Sequence, residues 1–442
     1  MSEQAKPVKK TTATKYTQAP RIARRLSKDE YAKAHQAKAE GRPVAYVMVG
    51  VNGVILKALD ITPVYTENFS GVCSAMKAEG PFIDKAESDG FSNLVCSYAR
   101  IGLGICGCRN EGMPVETLPA GGIPDPDLLL GTGYCCDTRF KWYDSVSYYL
   151  PDVPAFNYEI PLIQSPYIDT DNLRLKQAYI DYEVEQQHRF VEFLENATHQ
   201  KMDWDYYRQC QKYQYEAQCY WYEANRLRAQ GKCVMPASDN FSCINPYMFN
   251  QGDVTTRDFY RDMCEEIKTK IANKEYVLED EKYRICWGMG IPPWHQMNLF
   301  DYIVSKGGVV VGETTYNPSE PYDLIKVDTD DPIREEVTRR WEKDWEKFRK
   351  AREKNMNLTM MSIADLLKEN RSDGIMCHAT KSCRAVTVGQ IHQMNVINEQ
   401  FNLPTLFMES DMADSREFSE AQIFSQIDAF IETIEARKRN GK

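Results

Sequence analysis

Two cysteines stand side by side in "GYCCDTRFKW", residues 133–142, and further thiols recur at Cys96 in "SNLVCSYARIGLG", at Cys106 and Cys108 in "CGC", and at Cys383 after "GIMCHATKS". Adjacent cysteines bridge to one another only through a strained ring, and a buried cysteine is commonly a small hydrophobe. As thiolates, such residues would instead be metal ligands. Zinc sites typically announce themselves by CxxC pairs, which this chain lacks, and a single CxC is a weak signal. An iron–sulfur cluster can be held by cysteines distant in sequence, and three thiolates rather than four would leave one iron open. On spacing alone, cluster ligands and structural thiols remain equal alternatives.

Other groups extend the list. His295 in "GMGIPPWHQMNLF" sits beside Trp294 and two prolines, where packing or helix capping competes with substrate contact. Glu67 in "PVYTENFSG" follows a predicted strand, so its carboxylate either faces a ligand crevice or decorates an exposed loop. There is no GxxxxGK[ST] phosphate loop, and "GLGICG" has the letters of GxGxxG but is read as merely glycine-rich, so a nucleotide or flavin would belong to a partner.

The elements that must position these residues follow from hydrophobic rhythm. "PVAYVMVG", the strand in "ALDITPVYTENF", a strand opening "SNLVCSYARIGLG" and the Pro-bounded strand "LLLGTG" alternate with helical stretches, which predicts an α/β domain. In such sheets ligands gather at the carboxyl ends of strands, where Cys96, Cys135, Cys136 and Cys383 are all expected. Residues 169–232 run without Gly or Pro until Gly231 and predict two long helices packed together. Ile180, Val184, Val191 and Leu194 form one stripe, and Tyr206, Cys210, Tyr213, Ala217, Tyr220, Ala224 and Leu227 the other, with Cys210 a seam residue. From about 282 a second α/β rhythm begins: strands "YRICWGMG", "GVVVGETTY", "GIMCHAT" and "LPTLFME", a surface helix over 331–354, and a closing helix on Ile423, Ile427, Phe430 and Ile434 with a capping box of Ser419 and Gln422. The expected organisation is a basic N-terminal extension (1–42), a first α/β domain (43–165), a helical segment (166–281) and a second α/β domain (282–442).

Bulk properties exclude other classes. With 442 residues and 43% hydrophobic content the chain can bury more than one core. Its net charge of -10 argues against nucleic acid as the main partner. No window of about 18 apolar residues predicts a membrane span, and the basic leader lacks the apolar core of a secretory signal, so a cytoplasmic protein with a solvated, partly helical extension is expected. The fourteen cysteines are then thiols or metal ligands.

The fragments "LVCSYARIGLG", "CCDTRFKWYD", "WGMGIPPWHQMNLFDY", "DGIMCHATKSCRAVTVGQ" and "PTLFMESDMADSREFSEAQIFSQIDAFIE", in this order, resemble the 2-hydroxyacyl-CoA dehydratase and benzoyl-CoA reductase superfamily from about residue 43 to the end. The WHQM turn and the CDTRFKW context look most like the larger, cluster-bearing (B-type) subunit of ATP-dependent benzoyl-CoA reductase. The resemblance implies two Rossmann-like, flavodoxin-like parallel-sheet domains joined by helices. It also implies a [4Fe-4S] cluster on Cys96 (C-S motif), Cys136 with Asp137 (C-D motif) and Cys383 with Arg384 (S-C-[KR] motif), leaving Cys135 as a buried neighbour. Glu67 would match an acidic residue near the acyl-CoA. The implied activity is that of an oxidoreductase acting on CH-CH groups, dearomatising benzoyl-CoA to a cyclohexadienoyl-CoA with ferredoxin as electron donor. ATP would be bound by two partner ATPase subunits and not by this chain, and a related cluster-bearing subunit would complete the complex. The alternative is a subunit of a radical 2-hydroxyacyl-CoA dehydratase, which returns the electron after water is eliminated.

Overall fold

A computed structural model describes residues 12–161, 163 and 167–440. The first eleven residues of the predicted extension and the predicted 165/166 boundary lie outside the described residues. Helix α1 (Ala19–Ala39) precedes strand β1 (Val44–Val47), helix α2 (Gly53–Ala58) and strand β2 (Thr62–Tyr65). Helices α3 (Thr66–Ala75), α4 (Gly80–Ser88) and α5 (Ser97–Asn110) lead to strand β3 (Leu128–Thr132), helix α6 (Asp137–Val146) and strand β4 (Ala155–Tyr158). Four helices follow: α7 (Leu173–Thr198), α8 (Trp204–Leu227), α9 (Ala237–Phe249) and α10 (Val254–Asn273). The remainder is β5 (Tyr283–Met289), α11 (Leu299–Ser305), β6 (Gly308–Glu313), α12 (Pro332–Glu353), α13 (Leu358–Glu369), β7 (Gly374–Thr380), α14 (Arg384–Thr387), α15 (Gln390–Phe401), β8 (Thr405–Ser410) and α16 (Glu420–Arg439).

The α/β class expected from the sequence is what the chain adopts. Its strands form two separate, all-parallel sheets, ordered β2-β1-β3-β4 and β6-β5-β7-β8. In both, the order reverses beside the first strand, between β1 and β3 and between β5 and β7, which opens a crevice at the carboxyl edge. Both faces of each sheet are covered, which is why strands such as "LLLGT" are buried at every position. One face of the first sheet packs against α2, α7, α8 and α12, the other against α1, α3, α4, α5 and α6. The second sheet lies between α9, α11 and α16 on one side and α13 and α15 on the other. Among the described residues no helix is long and apolar enough to cross a membrane.

Several expectations need correction. Helix α1 is docked rather than solvated: Tyr31 and the small Ala19, Ala23, Ala34 and Ala37, at helical spacing, are buried on one face. Helices α7 and α8 do not chiefly pack on each other; α8 lies along α10 and α7 along α12. The buried face of α8 is Tyr207, Cys210, Ala217, Trp221 and Ala224, so Cys210 is a seam residue while Tyr206 faces outward. Helix α12, expected at the surface, places Ile333, Val337, Trp341, Trp345 and Phe348 in the core of the first sheet. The indoles of Trp341 and Trp345 donate to Glu183 Oε2 and the Thr170 carbonyl, both at 2.8 Å. The charged residues between these aromatics masked the apolar stripe. Ser419 does start α16, but its side chain makes no capping hydrogen bond.

The stretch "SNLVCSYARIGLG" forms no strand. Residues 89–96 are loop and turn, and Cys96 is the N-cap of α5. The glycines explain the difference: a Cβ on Gly104 would lie 1.8 Å from the Phe82 carbonyl oxygen, and one on Gly102 would lie 2.3 Å from Trp142. The stretch thus builds a glycine-faced helix that packs backbone to backbone against α4. Gly104→Ala should therefore lower stability by about 2 kcal/mol or more despite the better helix propensity of alanine. The urea midpoint reads this, and a stabilised variant would contradict the close approach.

Candidate functional site

Each of the three predicted ligands, Cys96, Cys136 and Cys383, is the residue just before a helix: α5, α6 and α14 respectively. Two of them fulfil the strand-end expectation, Cys136 after β3 and Cys383 after β7. These strands flank the two sheets' switch points. None of the sulfurs makes a full capping hydrogen bond. Even so, the N–H of Ala99 lowers the Cys96 pKa, those of Arg139 and Thr138 lower that of Cys136, and that of Val386 lowers that of Cys383.

The three thiols share one neighbourhood. Burial, followed by the charges of Cys383, Asp411 and Cys136, holds Cys96 well above the ordinary thiol range. Burial pushes Cys383 up to about 11, with Cys136 and Asp411 adding and Arg139 opposing. Burial also raises Cys136, again against Arg139. The thiols are therefore protonated at neutral pH, and a bound cationic centre would displace their protons. Among the described residues no three His, Cys, Asp or Glu side chains close around a single metal-ion position. Thiolate is the donor type that polynuclear iron–sulfur centres take.

What aligns Cys96 with Cys383 is a buried polar joint between the two halves. Ser97 follows Cys96 and Ser382 precedes Cys383. The Ser382 hydroxyl oxygen accepts the Ser97 N–H at 3.1 Å, and the same hydroxyl donates to Asp411 Oδ2 at 2.5 Å. Asp411 also accepts from the backbone N–H groups of Ser382, Ala413 and Asp414 at 2.9–3.1 Å. One turn on in α5, the buried Arg100 guanidinium donates to Glu87 at 2.7 Å and to Asp414 at 3.0 Å. The sequence showed these serines as motif letters but not that they bond to each other.

Cys135 corrects a further expectation. It is exposed rather than buried, in the left-handed conformation at φ 70°, while Cys136 is half-buried. Only with this turn can the chain swing one sulfur outward and bring the next to the start of α6. Cys135 lines an open cleft of about 440 Å³ with Gly133, Cys136, Asp137, Phe140, Lys141 and Glu159. The charge of Cys136 acts on both Cys96 and Cys383.

Glu67 lies in the first turn of α3, immediately after β2, and is not an exposed loop residue. Its Oε1 accepts from Arg139 Nε at 2.8 Å and its Oε2 from the Val49 N–H at 2.9 Å. Two tyrosines escaped notice in the sequence. Tyr98, two residues past Cys96, and Tyr316, in the loop after β6 at φ 62°, pair through their hydroxyls, and Tyr98 also receives the Trp294 indole N–H. Tyr316 lies within electrostatic reach of Glu67, Arg139 and Cys383. A signal existed for Tyr316 in its place after a strand, but only folding brings it opposite the thiols.

His295 takes the packing role. It is buried, its Nε2 sits 3.1 Å from the Asp411 carbonyl, and burial lowers its pKa to about 4. His378 is lowered likewise to about 4 by burial, and its Nε2 sits 2.7 Å from the Ser410 hydroxyl. Both are neutral when folded and near 6.5 when unfolded, so the unfolded chain binds more protons between these values. Stability should hold above pH 6.5 and fall progressively toward pH 4, by roughly 3 kcal/mol for each histidine. Denaturant midpoints across this range should show the slope, and His378→Gln should flatten it.

Comparison with known proteins places the chain. The family profile described as 2-hydroxyglutaryl-CoA dehydratase, D-component, matches residues 49–434. The alpha subunit of (R)-2-hydroxyisocaproyl-CoA dehydratase of Clostridioides difficile is 27% identical over 418 residues, covering 94% of this chain and 95% of the relative. The alpha subunit of (R)-phenyllactyl-CoA dehydratase of Clostridium sporogenes is 24% identical over 440 residues, covering 99% of each. The B-type subunit of benzoyl-CoA reductase of Thauera aromatica is 25% identical over 396 residues, covering 83% and 82%. The chain belongs to the 2-hydroxyglutaryl-CoA dehydratase D-component family, within the superfamily that its motifs resemble.

Proposed function

From this membership we propose that the chain is a subunit of a radical 2-hydroxyacyl-CoA dehydratase, with Cys96, Cys136 and Cys383 holding a [4Fe-4S] cluster. The observation that carries the reading is the convergence of three thiols from both halves of the chain on one buried neighbourhood, each at a helix start. The dehydratase branch takes precedence over the reductase expected from the WHQM turn, because dehydratase alpha subunits match along more of the chain than the benzoyl-CoA reductase relative does. A subunit of benzoyl-CoA reductase remains the second reading, supported by that 25% match.

When bound, such a cluster supplies one-electron chemistry and an iron position open to a ligand. The overall reaction removes the C2 hydroxyl and a C3 hydrogen of a 2-hydroxyacyl thioester as water and is redox-neutral. This chain's residues do the rest. The Ser97–Ser382–Asp411 joint holds two ligands in register. Arg139 and Glu67 set the charge and the hydrogen bonding at the crevice edge, where a Glu67 lone pair can still accept from a substrate hydroxyl. The Tyr98, Tyr316 and Trp294 side chains fill the space beside the thiols and exclude water. The relatives are subunits by name, and we assign this chain a related cluster-bearing partner, with ATP-coupled electron delivery from ferredoxin by two ATPase subunits.

Two measurements test this. After oxygen-free co-purification with the partner subunits, the chain should contain iron and sulfide. Cys136→Ser should lose both together with activity, whereas Cys135→Ser should keep them; the reverse would shift the ligand by one residue. A 2-hydroxyacyl-CoA should be converted to the enoyl-CoA with far less than one equivalent of reductant. Stoichiometric reductant consumption with benzoyl-CoA, and no dehydration, would establish the second reading instead.

A further inference from the structure

One partly buried cation stands just beyond the Cys135–Cys136 pair. Arg139 lies in the first turn of α6, three residues past Cys136, and its side chain is only 18% exposed against 12% for its partner Glu67. The pair laces together the loops that follow three adjacent strands. Arg139 donates to Glu67 after β2 at 2.8 Å and to the Tyr134 carbonyl after β3 at 3.0 Å, while Glu67 accepts the Val49 N–H after β1. Burying an ion pair is costly, and a neutral side chain could brace these loops as well, so a buried pair is weak support for a purely structural role. The charge itself points to a function. The guanidinium is held against the carbonyl of Tyr134, the residue just before the Cys135–Cys136 pair, and against Glu67, so a full positive charge is fixed at the turn that delivers Cys136. It remains charged at every accessible pH. Burial works against that charge, and the Glu67 carboxylate opposes burial through its charge and its hydrogen bond.

We infer that Arg139 is the positioning residue that supplies the fixed positive charge to the thiolate-held centre and so sets its reduction potential, with Glu67 attenuating that charge. The inference rests on the cluster-holding role proposed for Cys96, Cys136 and Cys383. Net charge near a cluster tunes its potential, because reduction adds a negative charge that a neighbouring cation stabilises.

The test uses the full chain purified anaerobically with its partners, without substrate. Iron and sulfide are measured, and the midpoint potential is followed by EPR during a reductive titration. Arg139→Gln should move the potential to more negative values, Glu67→Gln should move it in the opposite direction, and Arg139→Lys should fall between Arg139→Gln and the unmodified chain. A bracing role predicts no such opposition of signs. Equal potentials in all variants at full iron content, or shifts of the same sign for Arg139→Gln and Glu67→Gln, would overturn the inference while leaving the cluster assignment intact. If Arg139→Gln fails to fold, Arg139→Lys and Glu67→Gln still decide the sign. An unmodified chain that binds no iron or sulfide would overturn the cluster-holding reading, and the inference with it.

Discussion

A hydroxyl bonded to a carboxylate holds the site together. Ser382 and Asp411 belong to the second half, Ser97 to the first, and all three are buried. Buried polar groups must find partners, since leaving one unsatisfied costs about 1–3 kcal/mol. Here each partner lies across the junction or in the next loop. That requirement favours the arrangement in which Ser97 meets Ser382. Because Ser97 and Ser382 each adjoin a thiol in sequence, the same arrangement fixes the distance between the loops that carry Cys96 and Cys383. Arg100 and Asp414 repeat the tie one helical turn away.

Electrostatics then decides what the junction can hold. Three thiols brought together under burial resist ionisation, the charge of one raising the pKa of the next, and a cationic centre relieves both penalties at once. The helix starts at α5 and α6 and the Arg139 guanidinium lean in the same direction. Asp411, which the joint needs, acts against them at Cys96 and Cys383. The site is thus a compromise in which a carboxylate that builds the junction also raises the cost of thiolate formation beside it.

The crevice is made by topology before it is lined by chemistry. The two parallel sheets share one strand order, and the loops that follow β3 and β7, beside their switch points, carry Cys136 and Cys383. Dehydratase and reductase subunits are both among the relatives that match along most of this chain.

Much of this was legible in the amino-acid sequence. Apolar runs bounded by Gly and Pro marked seven of the eight strands among the described residues and the last helix correctly, because local periodicity reflects burial directly. The strand that went unread, Ala155–Tyr158, is a short edge strand with little burial to leave a pattern. The thiols themselves and their order along the chain were also visible. That they could meet was expected from their places at strand ends and from the resemblance, but the contact that holds their loops in register was not, since it depends on Ser97 meeting Ser382 across 285 positions. Nor was the exposure of Cys135, which turns on one left-handed residue, or the burial of α12, whose aromatics are spaced among charges. The chain by itself determined which groups exist and which strands and helices carry them. Only tertiary structure decided which groups face each other, because hydrogen bonds and charge interactions depend on distances in space that sequence separation does not encode.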